Sequence, residues 1–471
     1  MSQPTPLLQR RWPWWLAGAA VLIALLSSMV RIPRIGDWDT RPQGSPEDIA
    51  ALREADDVNV LFILIDTLRA ERLGAWGYER DTSPVLDRIA SRGVRFEHTL
   101  SQSSWTKASM ASIWTGLLPN RAGITRFDHV LPDDAVMPAE VLRDAGFKTV
   151  GLYRNGWVAP TFGFSQGFDI YKKPSRKGLP PNVRRDNPTL SDNTTDESVA
   201  SAAIEFLRLQ GHERWFLYLH LMDLHEYLFD EESALFGSSY SDNYDNSIRW
   251  TDGVIELLFA SLSELGLLEN TLVVIASDHG EAFRERGIEG HARRVYRETT
   301  DVPWILSLPF RLEPGATVTA RTANVDIWPT IFDLLGLQGG QSDGRSRRPE
   351  ILAASRGEDP PESDGYLVTH LDQHWARPNT EALPTVALID GSKRFVRIDH
   401  KIGDRVEQLF DASEDPKELR DEGLDDPEAL EPYRAAADAY LELEPDWGAP
   451  PTRDLSELEL NHLRALGYVI E

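Results

Sequence analysis

The stretch that most constrains the fold is Val58 to Ile65, VNVLFILI, a short and continuous β-branched and aliphatic run that stops at Asp66. Such a run is the pattern of a parallel strand buried on both faces. Comparable runs follow at Lys148 to Tyr153, Trp215 to Leu221, Leu272 to Ala276 and Val302 to Leu308. Between them lie helical patterns at Leu86 to Arg92, Met137 to Ala145 (Pro138 in its first turn), Val199 to Leu209 and Asp252 to Leu265, with a last one at Val325 to Leu335. Strands alternating with helices predict an α/β fold, a mostly parallel sheet sandwiched by helices. In such sheets ligands bind beyond the carboxyl ends of the strands. Asp66, Asp223, His225, Asp278 and His279 all fall just past such ends, so one pocket can collect them.

A second stretch, Ser101 to Gly123, reads as a loop that turns into a helix. Thr106 sits where a cap belongs, ahead of Lys107 to Trp114, and Thr115-Gly116 ends the helix. A hydroxyl there faces exposed backbone N–H groups and the positive end of the helix dipole, a place that suits a tetrahedral anion. An ordinary N-cap is the plain alternative. Asp66 and the box Ser277-Asp278-His279-Gly280-Glu281 shift the reading toward chemistry. Two aspartates, a hydroxyl and an imidazole are ligands for a hard or borderline divalent ion: Mg, Mn, Ca or Zn.

Together these segments resemble the sulfatase family of the alkaline-phosphatase superfamily. The resemblance runs in order from Asn59–Ala70 through Tyr78, Thr82-Ser83-Pro84, Leu86-Asp87, Gly93–Phe96 and the Thr106 stretch. It continues with Gly163-Phe164, Gly167–Asp169, His220 to His225, the SDHGE box, Gly290-His291, Asp326 to Leu337 and the ending Leu463–Tyr468. The resemblance implies an alkaline-phosphatase-like fold. It also implies that Asp66, Asp278 and His279 hold a divalent metal ion and that Thr106 completes the shell as the nucleophile. A metal beside Thr106 would lower the hydroxyl's pKa and polarise an oxygen of the substrate anion. His225 and His291 are expected to contact substrate or to protonate the leaving group; holding a second metal with Asp223 is the alternative. Lys107 could neutralise the anion, with Arg293, Arg294 and Arg297 as weaker candidates.

This sequence also departs from the family's formylglycine type. There the nucleophile position carries Cys or Ser, followed at fixed spacing by Pro and Arg; here the register gives Thr106, Ala108 and Met110. The chain has no cysteine, and Asp66 is followed by Thr67 rather than a second aspartate. A Thr nucleophile looks instead like the relatives that cleave phosphodiesters or transfer phospho-headgroups. The expected function is therefore a metal-dependent hydrolase or transferase acting on phosphate rather than sulfate esters. A sulfatase working with unmodified Thr is the runner-up, and a catalytically weak binding protein that keeps the fold is the reading from another class.

Trp12 to Val30 is a charge-free apolar run, just long enough to cross a bilayer and preceded by Arg10 and Arg11. It predicts a single-pass anchor with residues 1–11 cytoplasmic, 31–57 a linker, and the catalytic body outside the cytoplasm; a cleaved signal peptide is the alternative, for which Ser27 to Arg31 is a poor cleavage site. An anionic ester substrate, lipid- or glycan-linked, fits that placement. The formal net charge of −26 makes general nucleic-acid affinity unexpected. Lys172 to Asp196 is a proline-bearing stretch with six basic residues, readable as a mobile flap or as a disordered segment. The catalytic domain is expected to span residues 58–340. A polar, Pro/Gly-rich boundary at Gly339 to Asp364 then precedes a small C-terminal α+β subdomain, residues 341–471. That subdomain has a hairpin at Val386 to Ile398, a strand at Val406 to Asp411, and helices at Pro427 to Leu443 and Leu455 to Leu466.

Overall fold

The computed structural model describes residues 38–174, 194–361, 365–377, 380–401, 404–457 and 459–460. The run Trp12 to Val30, most of the basic stretch and the end of the Leu455 to Leu466 helix lie outside them. Among the described residues no helix is long and apolar enough to cross a membrane.

From Arg41 onward the chain forms one compact unit. Its strands begin with β1 (Asn59–Ile65), β2 (Val94–Leu100), β3 (Lys148–Leu152), β4 (Ile170–Lys172), β5 (Trp215–Leu221) and β6 (Thr271–Ala276). A two-residue hairpin follows, β7 (Ala282–Phe283) with β8 (Glu289–Gly290), and then β9 (Asp301–Ser307) and β10 (Ala316–Ala323). Eight of these strands make one sheet in the order β10-β2-β9-β6-β1-β5-β3-β4. β1 lies at its centre, parallel to β5 on one side and to β6 on the other, with all seven residues buried. That double burial is why the run carries no polar alternation.

One strand runs against the expectation of simple parallel order. β9 is antiparallel to both β6 and β2. The chain leaves β6 at Ala276, stays at the carboxyl end of the sheet through the SDHGE box and the hairpin, and re-enters from that same end. The long connection between β6 and β9 is thus site wall rather than crossover helix.

Helices pack on the sheet through aromatic rings. Phe62 of β1 meets Trp114 at 5.7 Å and Trp328 at 5.6 Å between ring centroids, both edge-on. Each such pair adds roughly 0.5–1.5 kcal/mol beyond area burial. The helix Thr106–Thr115 has all ten residues buried. Gly116, left-handed at φ 70°, ends it, and a Cβ there would stand 2.5 Å from Ser342 Oγ, so only glycine fits.

A second, antiparallel sheet is built from β11 (Leu367–Asp372), β12 (Pro384–Asp390), β13 (Lys393–Asp399) and β14 (Arg405–Asp411). The expected hairpin is present, turning between Asp390 and Lys393. One face of this sheet packs on the helix Glu431–Leu441; the other contributes Ala387, Ile389, Val396 and Phe410 to the main core. Residue 340 is therefore not a break in packing, and the expected boundary there is corrected: the small sheet is a subdomain welded to the large one. The polar stretch after it also contains the helix Arg348–Arg356, whose Ile351 is buried in that core. The linker reading of 31–57 is corrected from Ser45 onward. Ser45 caps a helix, Pro46–Ala51, in a reciprocal pair with Asp48, and Ile49 joins the main core.

Candidate active site

Three segments meet at the carboxyl end of β1 and β6. Asp66 follows β1, Asp278 and His279 follow β6, and Thr106 opens its helix from the loop after β2; all four are fully buried. Thr106 is the first helical residue rather than the cap. Trp105 holds the extended cap position without a side-chain capping bond, its indole stacked 4.6 Å from Trp375 and edge-on to Trp157. With the loop fixed by that stack, the Thr106 hydroxyl is directed to the site: its Oγ1 lies 3.1 Å from His279 Nε2.

The two carboxylates are arranged alike. Asp66 Oδ2 accepts from Asn155 Nδ2 at 2.6 Å and from His220 Nε2 at 3.1 Å, while its Oδ1 is buried without a hydrogen-bond partner. Asp278 Oδ1 accepts the backbone N–H of His279 at 3.0 Å and of Thr67 at 3.3 Å, while its Oδ2 is likewise orphaned. The bare oxygens stand 3.7 Å and 3.4 Å from His279 Nε2. His279 Nδ1–H donates to the Gly280 carbonyl at 3.0 Å, which leaves Nε2 with a free lone pair. One ligand atom from each of Asp66, Asp278 and His279 lies within 4.8 Å of the others.

Buried acceptors with nothing to accept are costly, and these converge on one point. Burial and the Asp66 charge push the Asp278 carboxyl well up. Burial also raises Asp66, but the bond from His220 and the nearby imidazoles outweigh it and hold that carboxyl low. Burial brings His279 down to about 3, so its imidazole is neutral at pH 7, the form that ligates. An ionised Asp66, a neutral imidazole and an Asp278 carboxyl that a cation's charge would keep ionised fit a divalent cation.

Further out, His291 lies 4.6 Å from His279 and 5.0 Å from His225 between ring centroids. Its Nδ1 is 2.8 Å from Glu281 Oε2. Burial lowers His291 to about 4 and raises Glu281 to about 7. Both histidines expected from the sequence are thus beside the cluster.

Residues 58–337, more than half of the chain, match the sequence model of the family described as Sulfatase. The chain belongs to the sulfatase family. The ulvan-active sulfatase of Formosa agariphila is 26% identical over 318 residues, which cover 59% of this chain and 62% of that protein. The delta 4,5-hexuronate-2-O-sulfatase of Bacteroides thetaiotaomicron is 21% identical over 456 residues, 83% and 90% of the two chains. Among solved structures, a phosphonate monoester hydrolase of Silicibacter pomeroyi shares the fold with a TM-score of 0.63 at 22% identity, covering 81% of this chain and 94% of its own. Two of these are sulfatases by name and the third a phosphonate monoester hydrolase.

On this sulfatase fold several of the expected site residues stand elsewhere. Lys107 is fully buried and turned away, its Nζ donating to the Phe127 carbonyl at 2.6 Å and lying 3.5 Å from the centre of the Phe162 ring. Burial pushes its amine well below the usual lysine range. Consecutive helical side chains diverge by about 100°, so the neighbour of a site-facing Thr106 faces elsewhere; the expectation that Lys107 neutralises the substrate is corrected. Asp223 is also outside the cluster. It is held by Arg154, by the Trp250 indole N–H at 2.8 Å and by the Asp196 N–H at 2.9 Å, so it makes no second metal site with His225. Arg297 pairs with Glu71 and Asp301, and Arg294 donates to the Arg293 carbonyl. Sequence reasoning gave no role to Asn155, His220 as a partner of Asp66, or Glu281. These contacts span 89 and 154 residues for the first two, and no spacing rule marks them.

Proposed function

We propose that this chain is a metal-dependent ester hydrolase or transferase in which unmodified Thr106 is the nucleophile, with phosphate esters and diesters preferred over sulfate esters. The observation that carries the reading is the Thr106 hydroxyl beside the neutral Nε2 of His279, between two orphaned carboxylate oxygens. A divalent cation held by Asp66, Asp278, His279 and Thr106 would supply Lewis-acid polarisation of the ester and a lowered hydroxyl pKa; the imidazole in the set favours Mn or Zn over Ca. The protein's own groups do the rest. Thr106 Oγ1, its proton released to solvent at that lowered pKa, forms the bond to phosphorus as the ester oxygen departs, and Asn155 and His220 hold Asp66 still. The Glu281–His291 pair, holding a shared proton, delivers it to the leaving oxygen and recovers one from the incoming water or alcohol that cleaves the Thr106 ester.

Sulfate is the second reading, and the names of the curated relatives favour it. Against it stand Thr106, Ala108 and Met110 in the register of the family's formylglycine motif and the absence of cysteine. The test is kcat/KM for an aryl phosphodiester against the matching aryl sulfate. The expected preference for phosphate is at least about tenfold, some 1.4 kcal/mol of transition-state discrimination. A faster rate on sulfate would overturn the substrate class and leave the nucleophile standing.

The reading includes an anchor at Trp12–Val30 with the catalytic body outside the cytoplasm, which brings the site to lipid- or surface-linked esters. The full-length chain is expected in the membrane fraction, released by detergent and not by high salt; recovery in the soluble fraction with a cut N-terminus would refute the anchor.

A further inference from the structure

A cavity of about 410 Å³ opens where β2 and β10 meet the small sheet, and it shares no lining residue with the Asp66–Asp278–His279 cluster. The sheet is irregular there. The pairing of β2 with β9 slips between Phe96 and Thr99, and that with β10 slips between Val318 and Arg321. Bulges re-aim side chains, and here Arg321, His98, Arg95 and Arg297 all line the same cavity, floored by Leu367 and Ile389.

The guanidinium groups are unequally provided for. Arg394 is fully buried behind the cavity and hydrogen-bonds Asp301, Glu418 and the Thr300 hydroxyl. Arg297 donates to the Pro416 carbonyl and reaches Glu71 and Asp301 at the longer distances of 3.5 and 3.6 Å. Arg95 makes one long bond to Thr317 and lies over the Trp76 ring. Arg321 is half-buried and makes no ion pair or side-chain hydrogen bond among the described residues. Burial lowers its pKa; Asp301 and Glu418 oppose that, while the charges of Arg394 and Arg297 add to it. Of the acids lining the cavity, Asp301 is shared by three guanidiniums and Glu71 is held by Arg69 and Arg297. Glu97 is the remaining lining acid. A half-buried guanidinium that lines a cavity without an ion pair of its own is the feature an oxyanion would satisfy, because its planar fork matches two oxygens at once.

We propose that this cavity is a second binding site, for a compact oxyanion such as a phosphate, sulfate or carboxylate group, with Arg321 as its principal donor and Arg297 and Arg95 beside it. The site goes beyond the proposed reaction and does not depend on it.

The test titrates inorganic phosphate into the full chain carrying Asp278→Asn, which removes a metal ligand at the other site, and into the same chain with Arg321→Gln added. Phosphate binding is expected to weaken by at least about tenfold in the second protein, and its stabilisation of the melting transition is expected to vanish. Without phosphate, Arg321→Gln should melt at about the same temperature, since the side chain it removes makes no ion pair or side-chain hydrogen bond and its two like-charged neighbours offset its two acidic ones. Arg321→Lys, which keeps the charge and loses the fork, should bind with intermediate affinity. Equal phosphate affinity in the two proteins, or no binding in the first, overturns the site. A melting temperature several degrees lower for Arg321→Gln without phosphate overturns it too, because Arg321 would then be structural. If KM rises in Arg321→Gln for an ester with a second anionic group and not for a monoanionic aryl ester, the oxyanion belongs to the substrate. If neither KM moves while phosphate binding is lost, the site takes a free oxyanion.

Discussion

Thr106→Ala is expected to lower kcat by about four to six orders of magnitude, the scale seen when a covalent nucleophile is removed and only binding and electrostatics remain. The size of the effect follows from the surroundings. Ser109, one turn on, donates its hydroxyl to the Asp278 carbonyl at 2.6 Å and so helps pin the loop. Ser104 is buried on the far side of Trp105 in the chain, before the helix begins. Neither stands beside His279 Nε2 as Thr106 does. Thr106→Ser should retain a substantial part of the rate, since it keeps the oxygen and loses one buried methyl. Intact-mass and peptide mapping of enzyme trapped with a slow phosphodiester should place the adduct on the peptide carrying Thr106. An alanine variant within about tenfold of the parent, or an adduct on Ser104 or Ser109, would refute the assignment.

What the sequence disclosed and what it hid divide along the range of the interactions involved. The β1 run and Asp66 were legible because burial on both faces leaves an unbroken apolar signature, and a strand end in an α/β sheet is a known place for ligands. The Thr106 turn was legible in position but not in detail. Helix onset can be read to within a residue or two; that Trp105 takes the cap depends on a stack with Trp157 and Trp375, distant in sequence. The direction of β9 was not legible at all, since an apolar run reads the same whichever way the strand enters. The helix Pro46–Ala51 did have a local signal, Ser45 with Pro46 and Asp48, and was hidden only by the prolines and glycines around it.

The site's supporting residues show the same division. Lys107 looked catalytic because it follows the nucleophile, yet adjacency along a helix means divergence in space. Asn155 carried no signal in the sequence; its neighbour Arg154 is clamped between Asp196, at 2.8 Å, and Glu226, at 2.6 Å, as well as Asp223. That clamp joins the loop after β3 to the segment after β5 that carries His225, so Asn155 reaches Asp66 from a rigid base. The arrangement is written in long-range pairs, which composition and period do not record.

Asp278→Asn is expected to abolish metal retention and turnover while leaving the folded protein intact. Asp278 Oδ1 accepts the His279 and Thr67 backbone N–H groups, and the amide oxygen of asparagine can accept both. The amide nitrogen then replaces the orphaned Oδ2 and faces Asp66 Oδ1 and His279 Nε2 as a donor, the part that the raised Asp278 carboxyl plays without metal. The metal-free variant should therefore melt no lower than the metal-free parent. With metal the order reverses: a ligand at one hundred times its Kd stabilises the native state by about 2.7 kcal/mol, an increment the variant forgoes. The measurement is metal content by plasma mass spectrometry on purified protein, with melting curves before and after chelation. The parent should carry the ion and lose melting temperature on chelation; the variant should carry little and respond little. Metal content equal to the parent's would remove Asp278 from the ligand set. A variant that melts well below the chelated parent would show that the carboxylate serves the fold rather than the ion. Asp66→Asn supplies the matching case, since its Oδ2 position, which accepts from Asn155 and His220, can likewise be kept by an amide oxygen while the bare Oδ1 is exchanged.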